Sequence, residues 1–300
     1  MASVAPAQRI NMQTEIDILT KRLQRVPWGE TGVPEALAGL LQPAVSRRVD
    51  GGGGRVAFQL LAGLGISGWS ARLDVQTAVN GLRQISQANG TYGRAWHLLQ
   101  AAGLYETHTA SFGLRPFVLA RLTPLGRTLL TQAGVEVVTS EWDHIEAQHR
   151  RAADGQQMAH TAAIGLFLHH ARVRGYATAA CPVGEFGKAE PDAAVIPPAD
   201  DAPIYSEIQG RGGAAWRRAR KWANQLPLQG YVAICALTPA WAERLAHEAQ
   251  LVGAALGLVT DLTTLARQAP AGLWTHCWRS QHSPLQPLVA DITPAALLGR

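Results

Sequence analysis

Glu190-Pro191-Asp192-Ala193-Ala194-Val195-Ile196 and, after a turn, Ile204-Tyr205-Ser206-Glu207-Ile208-Gln209 are the two stretches on which the reading of the fold turns. Each is a short apolar run carrying one acid, and each predicts a strand. The segment 209–225 that follows holds five cations (Arg211, Arg217, Arg218, Arg220 and Lys221) and no acid, on a pattern that predicts a basic helix. Side chains alternate along a strand, so Glu207 and Gln209 share a face. Asp192 is expected across from them on the neighbouring strand. Two carboxylates so placed suit Mg²⁺, a hard cation that takes oxygen ligands and keeps several waters. A basic helix beside them suits a phosphate backbone. The pattern points to metal-assisted phosphodiester chemistry, or to a DNA-binding relic of it.

Working outward, a polar connector helix is expected over 141–151 and a longer helix over 154–174. Strands are expected at 177–181, 192–196 and 204–209, a basic helix over 213–224, a strand over 231–237, a helix over 240–253 and a short apolar segment at 256–259. This order is α/β, with the first three strands antiparallel through short turns. Residues 266–300 form a C-terminal tail, which Trp274 and Trp278 are expected to pack onto the body.

Upstream, 12–25 reads as an amphipathic helix on Ile16, Ile18, Leu19 and Leu23, and 34–45 as a second. Together they make a helical arm over 1–50. Four glycines at 51–54 read as a linker. Between 55 and 135 the pattern is three helices (56–64, 75–85 and 91–102), strands at 104–108 and 117–122 around a turn with Gly113, and a last helix to Gly134. Gly103 reads as a left-handed cap of the third helix. Thr123 and Pro124 open the last helix as its cap and first residue.

At 300 residues, with 47% hydrophobic and 16% charged residues, the chain has ample core, and disorder is excluded as a general description. A net charge of +5 is compatible with a nucleic-acid partner. Cys181, Cys235 and Cys277 lack the spacing of a zinc site or a disulfide framework, and read as buried thiols. Residues 1–11 lack an apolar signal core, and the apolar run 161–168 is too short to cross a bilayer. A soluble, cytoplasmic protein without a membrane partner is expected. Gly63-Leu64-Gly65-Ile66-Ser67-Gly68 matches GxGxxG but lacks a preceding strand, so a loop is expected there. His169-His170 and the pair His144/His149 read as solvated or core histidines. Trp216 and Trp222 read as anchors of the basic helix; stacking on bases, which implies single-stranded substrates, is the alternative.

Two resemblances sharpen this. The order helix, Ala101-Ala102-Gly103-Leu104, strand, turn, strand, Leu122-Thr123-Pro124-Leu125-Gly126-Arg127 resembles a winged helix-turn-helix domain. That resemblance implies DNA contacts from Tyr92, Arg94 and His97 on the third helix and from Arg115 in the turn. Pro191-Asp192 with Glu207-Ile208-Gln209 resembles the motif of the PD-(D/E)xK nuclease superfamily, on a restriction-endonuclease-like αβββαβ domain over 141–265. It implies that Asp192 and Glu207 bind Mg²⁺ and that the third residue positions the attacking water. The usual Lys is Gln209 here, which offers a hydrogen bond but no charge. Arg211 or Lys221 is the candidate to supply that charge, and Glu146 or His160 to complete the site from upstream. Arg211, Arg217, Arg218 and Lys221 are expected to hold DNA.

The two domains in this order resemble replication-relaxation-type proteins of mobile elements. That implies either a Mg²⁺-dependent endodeoxyribonuclease, or an inactive DNA-binding regulator or assembly subunit that keeps the nuclease fold as a scaffold. In a further reading, the arm over 12–46 docks on another protein subunit.

Overall fold

Val232–Ala236 is apolar throughout and Gly257–Asp261 up to Thr260, and both are buried at every position. Such unbroken burial marks strands that have neighbours on both sides and cover on both faces. They are β6 and β7 of a mixed seven-stranded sheet ordered β3-β4-β5-β6-β7-β8-β9. The structure, a computed structural model, describes residues 17, 21–22, 52–83, 91–113, 115–149, 154–182, 190–198, 200, 202–210, 214–267 and 272–299. The described residues fall into two compact units. Those up to 109, with Val118–His144, make one; those of Ala110–Phe117 and Ile145–Arg300 make the other. Among the described residues no helix is long and apolar enough to cross a membrane.

The first unit is built on α1 (Gly52–Ser67), α2 (Arg72–Arg83), α3 (Thr91–Ala101), a two-stranded sheet of β1 (Tyr105–Ala110) and β2 (Phe117–Leu122), and α4 (Pro124–Gln132). Val56, Phe58, Leu60, Leu61 and Leu64 bury α1 among α2, α3 and α4. The expected linker is corrected here, because α1 is already helical at Gly52. Burial of the helix outweighs the poor helix propensity of glycine. The GxGxxG stretch is likewise the last turns of α1 and its exit, not a loop. Thr123 caps α4 as expected: its Oγ1 accepts from Gly126 N at 3.1 Å and donates to Gly103 O at 2.7 Å. Gly126 lies so close to Leu104 that any Cβ would overlap its carbonyl oxygen. Of the expected arm helices, 34–45 lies outside the described residues. Of 12–25 only Asp17, Lys21 and Arg22 are described, all helical.

Helix α5 (Glu141–Gln148), whose last four residues open the second unit, leads to α6 (Asp154–Val173), then to β3 (Ala177–Ala180), β4 (Ala193–Ile196) and β5 (Ile204–Gln209). These three strands pair antiparallel and α6 packs on them. The chain then crosses through α7 (Ala215–Gln229) to β6 and through α8 (Pro239–Leu251) to β7, both parallel to their neighbours. Val232, Ile234 and Ala236, on one face of β6, form a core with Trp222 of α7 and with Leu245, Ala246 and Ala249 of α8. The basic helix ends five residues later than expected and runs through Pro227. Gln225 and Gln229 near its end bond the backbone of Tyr205, at 2.6 Å and 2.9 Å to the carbonyl and 2.9 Å from the N–H. They satisfy strand groups that β6 does not reach, and this tie holds α7 on β5.

The C-terminal tail is part of the sheet. After α9 (Leu262–Arg267), β8 (His276–Trp278) pairs with β7 and β9 (Gln286–Pro287) with β8, before α10 (Pro294–Leu298). Trp274 and Trp278 are buried, and Trp278 Nε1 donates to Ala254 O at 2.9 Å. The indole covers Gly257 so closely that a Cβ there would overlap the ring. Gly257→Ala is therefore expected to destabilise the fold by about 1–3 kcal/mol. A thermal melt checks it, and an unchanged midpoint would show that Trp278 has room to move.

Candidate functional site

Ala193 of β4 stands opposite Ser206 of β5, so Asp192, one step further out, stands opposite Glu207. The backbone of Asp192 is fixed on both sides: its N–H donates to Ser206 O at 3.1 Å, and its carbonyl accepts from Cys181 N at 2.9 Å. One carboxylate oxygen, Oδ2, accepts from Ile208 N at 2.9 Å. Glu207 is buried beside it. Gln209, on the same face, reaches Glu207 Oε2 with its amide at 3.4 Å. The structure therefore brings Asp192, Glu207 and Gln209 together.

A cation reaches both acids from α7. Lys221 Nζ donates to Glu207 Oε2 at 2.7 Å and lies 3.5 Å from Asp192 Oδ1. Glu207 is not paired on an exposed edge; its cation is this lysine, fourteen residues on. Burial would raise the Asp192 carboxyl, but Lys221, His160 and His149 outweigh it and hold the group well below the ordinary carboxylate range. Burial and the charge of Asp192 push Glu207 up to about 8 against the pull of Lys221. Burial opposes the charge on Lys221, yet the two carboxylates raise it above the ordinary lysine value. Of the two acids, Asp192 is the one that stays ionised and Glu207 the one that takes up a proton.

A second side of Asp192 faces two imidazoles. His149, just past α5, places Nε2 3.4 Å from Asp192 Oδ1, and His160 in α6 places Nε2 3.5 Å from the same oxygen. The two rings stand edge to face with centroids 4.7 Å apart. All three donor atoms lie within 4.8 Å of one another. Asp192 Oδ1 and His149 Nε2 are buried atoms without a hydrogen bond of normal geometry. Two nitrogens and one oxygen do not fit Mg²⁺, which takes oxygens in near-ideal octahedra. The donor set is that of a borderline transition-metal ion.

No family model, curated protein or solved structure matches the chain.

The other expected residues are scattered. Arg94 and His97 are exposed on α3, whereas Tyr92 is buried there. Arg115 is exposed in the turn between β1 and β2, and Arg211 lies outside the described residues. Arg217 is exposed on α7, with its guanidinium over Trp216, itself exposed. Arg218 is turned inward. It is 5% exposed, and its Nε and Nη2 donate to Glu248 Oε2 at 2.9 and 2.7 Å. Its place is the packing of α7 on α8, not the solvent face, and the exposed neighbour is Arg220. Trp222 is an interior anchor. From upstream, His160 reaches Asp192. Sequence reasoning left His149 as a solvated or core residue. No local spacing pairs it with His160 and Asp192; only the folded chain does. A separate cleft of 380 Å³, lined by Glu243, His247, His276 and Pro287 among others, contains none of the site residues.

Proposed function

We propose that this chain is a DNA-binding protein in which a winged-helix unit precedes a PD-(D/E)xK-like nuclease unit acting on the DNA of a mobile element. The observation that carries this reading is the contact of Lys221 with both acids, 2.7 Å from Glu207 and 3.5 Å from Asp192. It supplies from the helix the cation that Gln209 does not supply from the strand. A buried acid pair with a fixed ammonium is poised for phosphodiester cleavage, in which negative charge grows on the phosphoryl oxygens. Lys221 is the group to meet that charge, and Gln209 is placed to orient a water by its amide. Arg217 and Arg220, exposed one turn before Lys221 and beside it, are placed to hold the backbone of the strand being cut.

One observation favours a second reading. Lys221 neutralises the acids it touches, as a structural ion pair does, and a DNA-binding scaffold without cleavage needs no more. The deciding experiment incubates the protein with labelled single- and double-stranded DNA and a panel of divalent ions, beside Asp192→Ala/Glu207→Ala. Metal-dependent cutting by the parent protein alone is expected. Equal binding by both proteins with no cutting in any ion would make the unit a scaffold.

A further inference from the structure

We infer that His149, His160 and Asp192 form a binding site for one divalent first-row transition-metal ion, distinct in chemistry from the Mg²⁺ site that the carboxylate pair suggests. The inference deepens the proposed function by naming the ion at that same site, and as a statement about cleavage it rests on that reading. Binding of the ion, however, is tested separately.

The geometry comes first. An ion bound tetrahedrally at about 2.0–2.2 Å from nitrogen and oxygen ligands keeps those ligands about 3.4 Å apart. Here the two imidazole nitrogens lie 3.4 and 3.5 Å from Asp192 Oδ1. These separations are long for hydrogen bonds and match the edges of such a coordination shell.

Burial points the same way. The Asp192 side chain is wholly buried, and Oδ1 makes no normal hydrogen bond while Oδ2 is committed to Ile208 N. A buried carboxylate oxygen left in this state carries a large desolvation cost unless something positive meets it. Lys221 at 3.5 Å is one such partner, and an ion seated between Oδ1 and the imidazoles is a closer one. The Ile208 bond also fixes the carboxylate plane, as supporting hydrogen bonds do for metal ligands.

Three protein ligands leave one of the four positions of a tetrahedral ion to water or substrate. Three protein ligands with an open position is the arrangement of catalytic rather than structural zinc sites. Imidazole ligands also select against Mg²⁺ and Ca²⁺, which take oxygen.

The test uses the full chain freed of metal by chelation and titrated with Co²⁺, with no DNA present. The expected result is one Co²⁺ per chain, with visible d–d absorption and paramagnetic shifts of two histidine resonances. His149→Gln and His160→Gln should each weaken binding at least tenfold. The exposed His144→Gln is the matched control and should bind as the parent does. Zn²⁺ should displace Co²⁺, and millimolar Mg²⁺ should not. Absence of stoichiometric binding would overturn the inference, and so would binding that both variants retain. The histidine shifts are read on the parent protein, so a variant that fails to fold leaves the result decided. Co²⁺ binding without DNA cleavage would sink the nuclease reading and leave the metal site standing. Cleavage without Co²⁺ binding would do the reverse.

Discussion

On the proposed nuclease reading, Lys221→Met is expected to lower DNA cleavage by about a hundredfold or more while leaving the fold intact. The chemistry sets the size of the loss. Lys221 is the cation in contact with both acids, and Gln209 beside it brings none. A fixed charge facing the developing negative charge of a transition state is worth more in a water-poor site than in solvent. Met keeps the apolar stem and volume, so packing on α7 changes little. The buried acids respond through their protonation. Burial and Asp192 already push Glu207 up to about 8 against Lys221, so without the lysine it moves further up and holds its proton at neutral pH. A neutral Glu207 is an acceptable buried group, and this is why stability should survive where activity does not. The measurement is a cleavage time course beside a melting curve. Full activity in a well-folded Lys221→Met protein would remove the lysine from the mechanism.

The sheet was legible in the sequence wherever local pattern dictates it. Val232–Ala236 and the acid-bearing strands carry their apolar runs openly, and Thr123-Pro124 announces the start of α4. What escaped was decided by distant partners. The glycines from 52 onward look like a linker, because nothing local shows that α1 will be packed from several sides. The basic helix looks finished before Pro227, because the tie of Gln225 and Gln229 to Tyr205 spans twenty residues and more. The tail looks unplaced, because β8 is three residues long and gains its identity only from pairing with β7.

The site divides along the same line. Strand alternation predicts Glu207 beside Gln209, and pairing of neighbouring strands predicts Asp192 opposite. The reach of Lys221 from the following helix was one of two open choices. His149 went unrecognised, because it stands eleven positions before His160 and 43 before Asp192, and no local ligand spacing links the three. Arg218 taught the opposite lesson. A run of cations reads as one charged face, but a helix turns about 100° per residue, so a run of neighbours must also point inward.

That inward arginine carries the second large effect, a stability one. Glu248→Leu is expected to cost about 3 kcal/mol, the lower end of the range for breaking a buried ion pair from one side. Arg218 donates two N–H groups to Glu248 Oε2 and lies over the Trp241 ring at 5.3 Å, while Arg244 reaches Glu248 Oε1 at 3.1 Å from solvent. Without the carboxylate, the interior guanidinium loses the two hydrogen bonds that Glu248 accepts and keeps its charge. The aromatic contact recovers about 1 kcal/mol of the loss at most. Trp241 also donates to Gly210 O at 3.1 Å, just past the end of β5. Arg218→Met/Glu248→Leu should restore most of the stability, because an apolar pair of similar volume carries no desolvation cost. Urea unfolding of the parent, the single variant and the double variant measures this, read as a shift in midpoint at constant slope. If the double variant is no more stable than Glu248→Leu alone, the loss lies in packing around Glu248 and not in the broken ion pair.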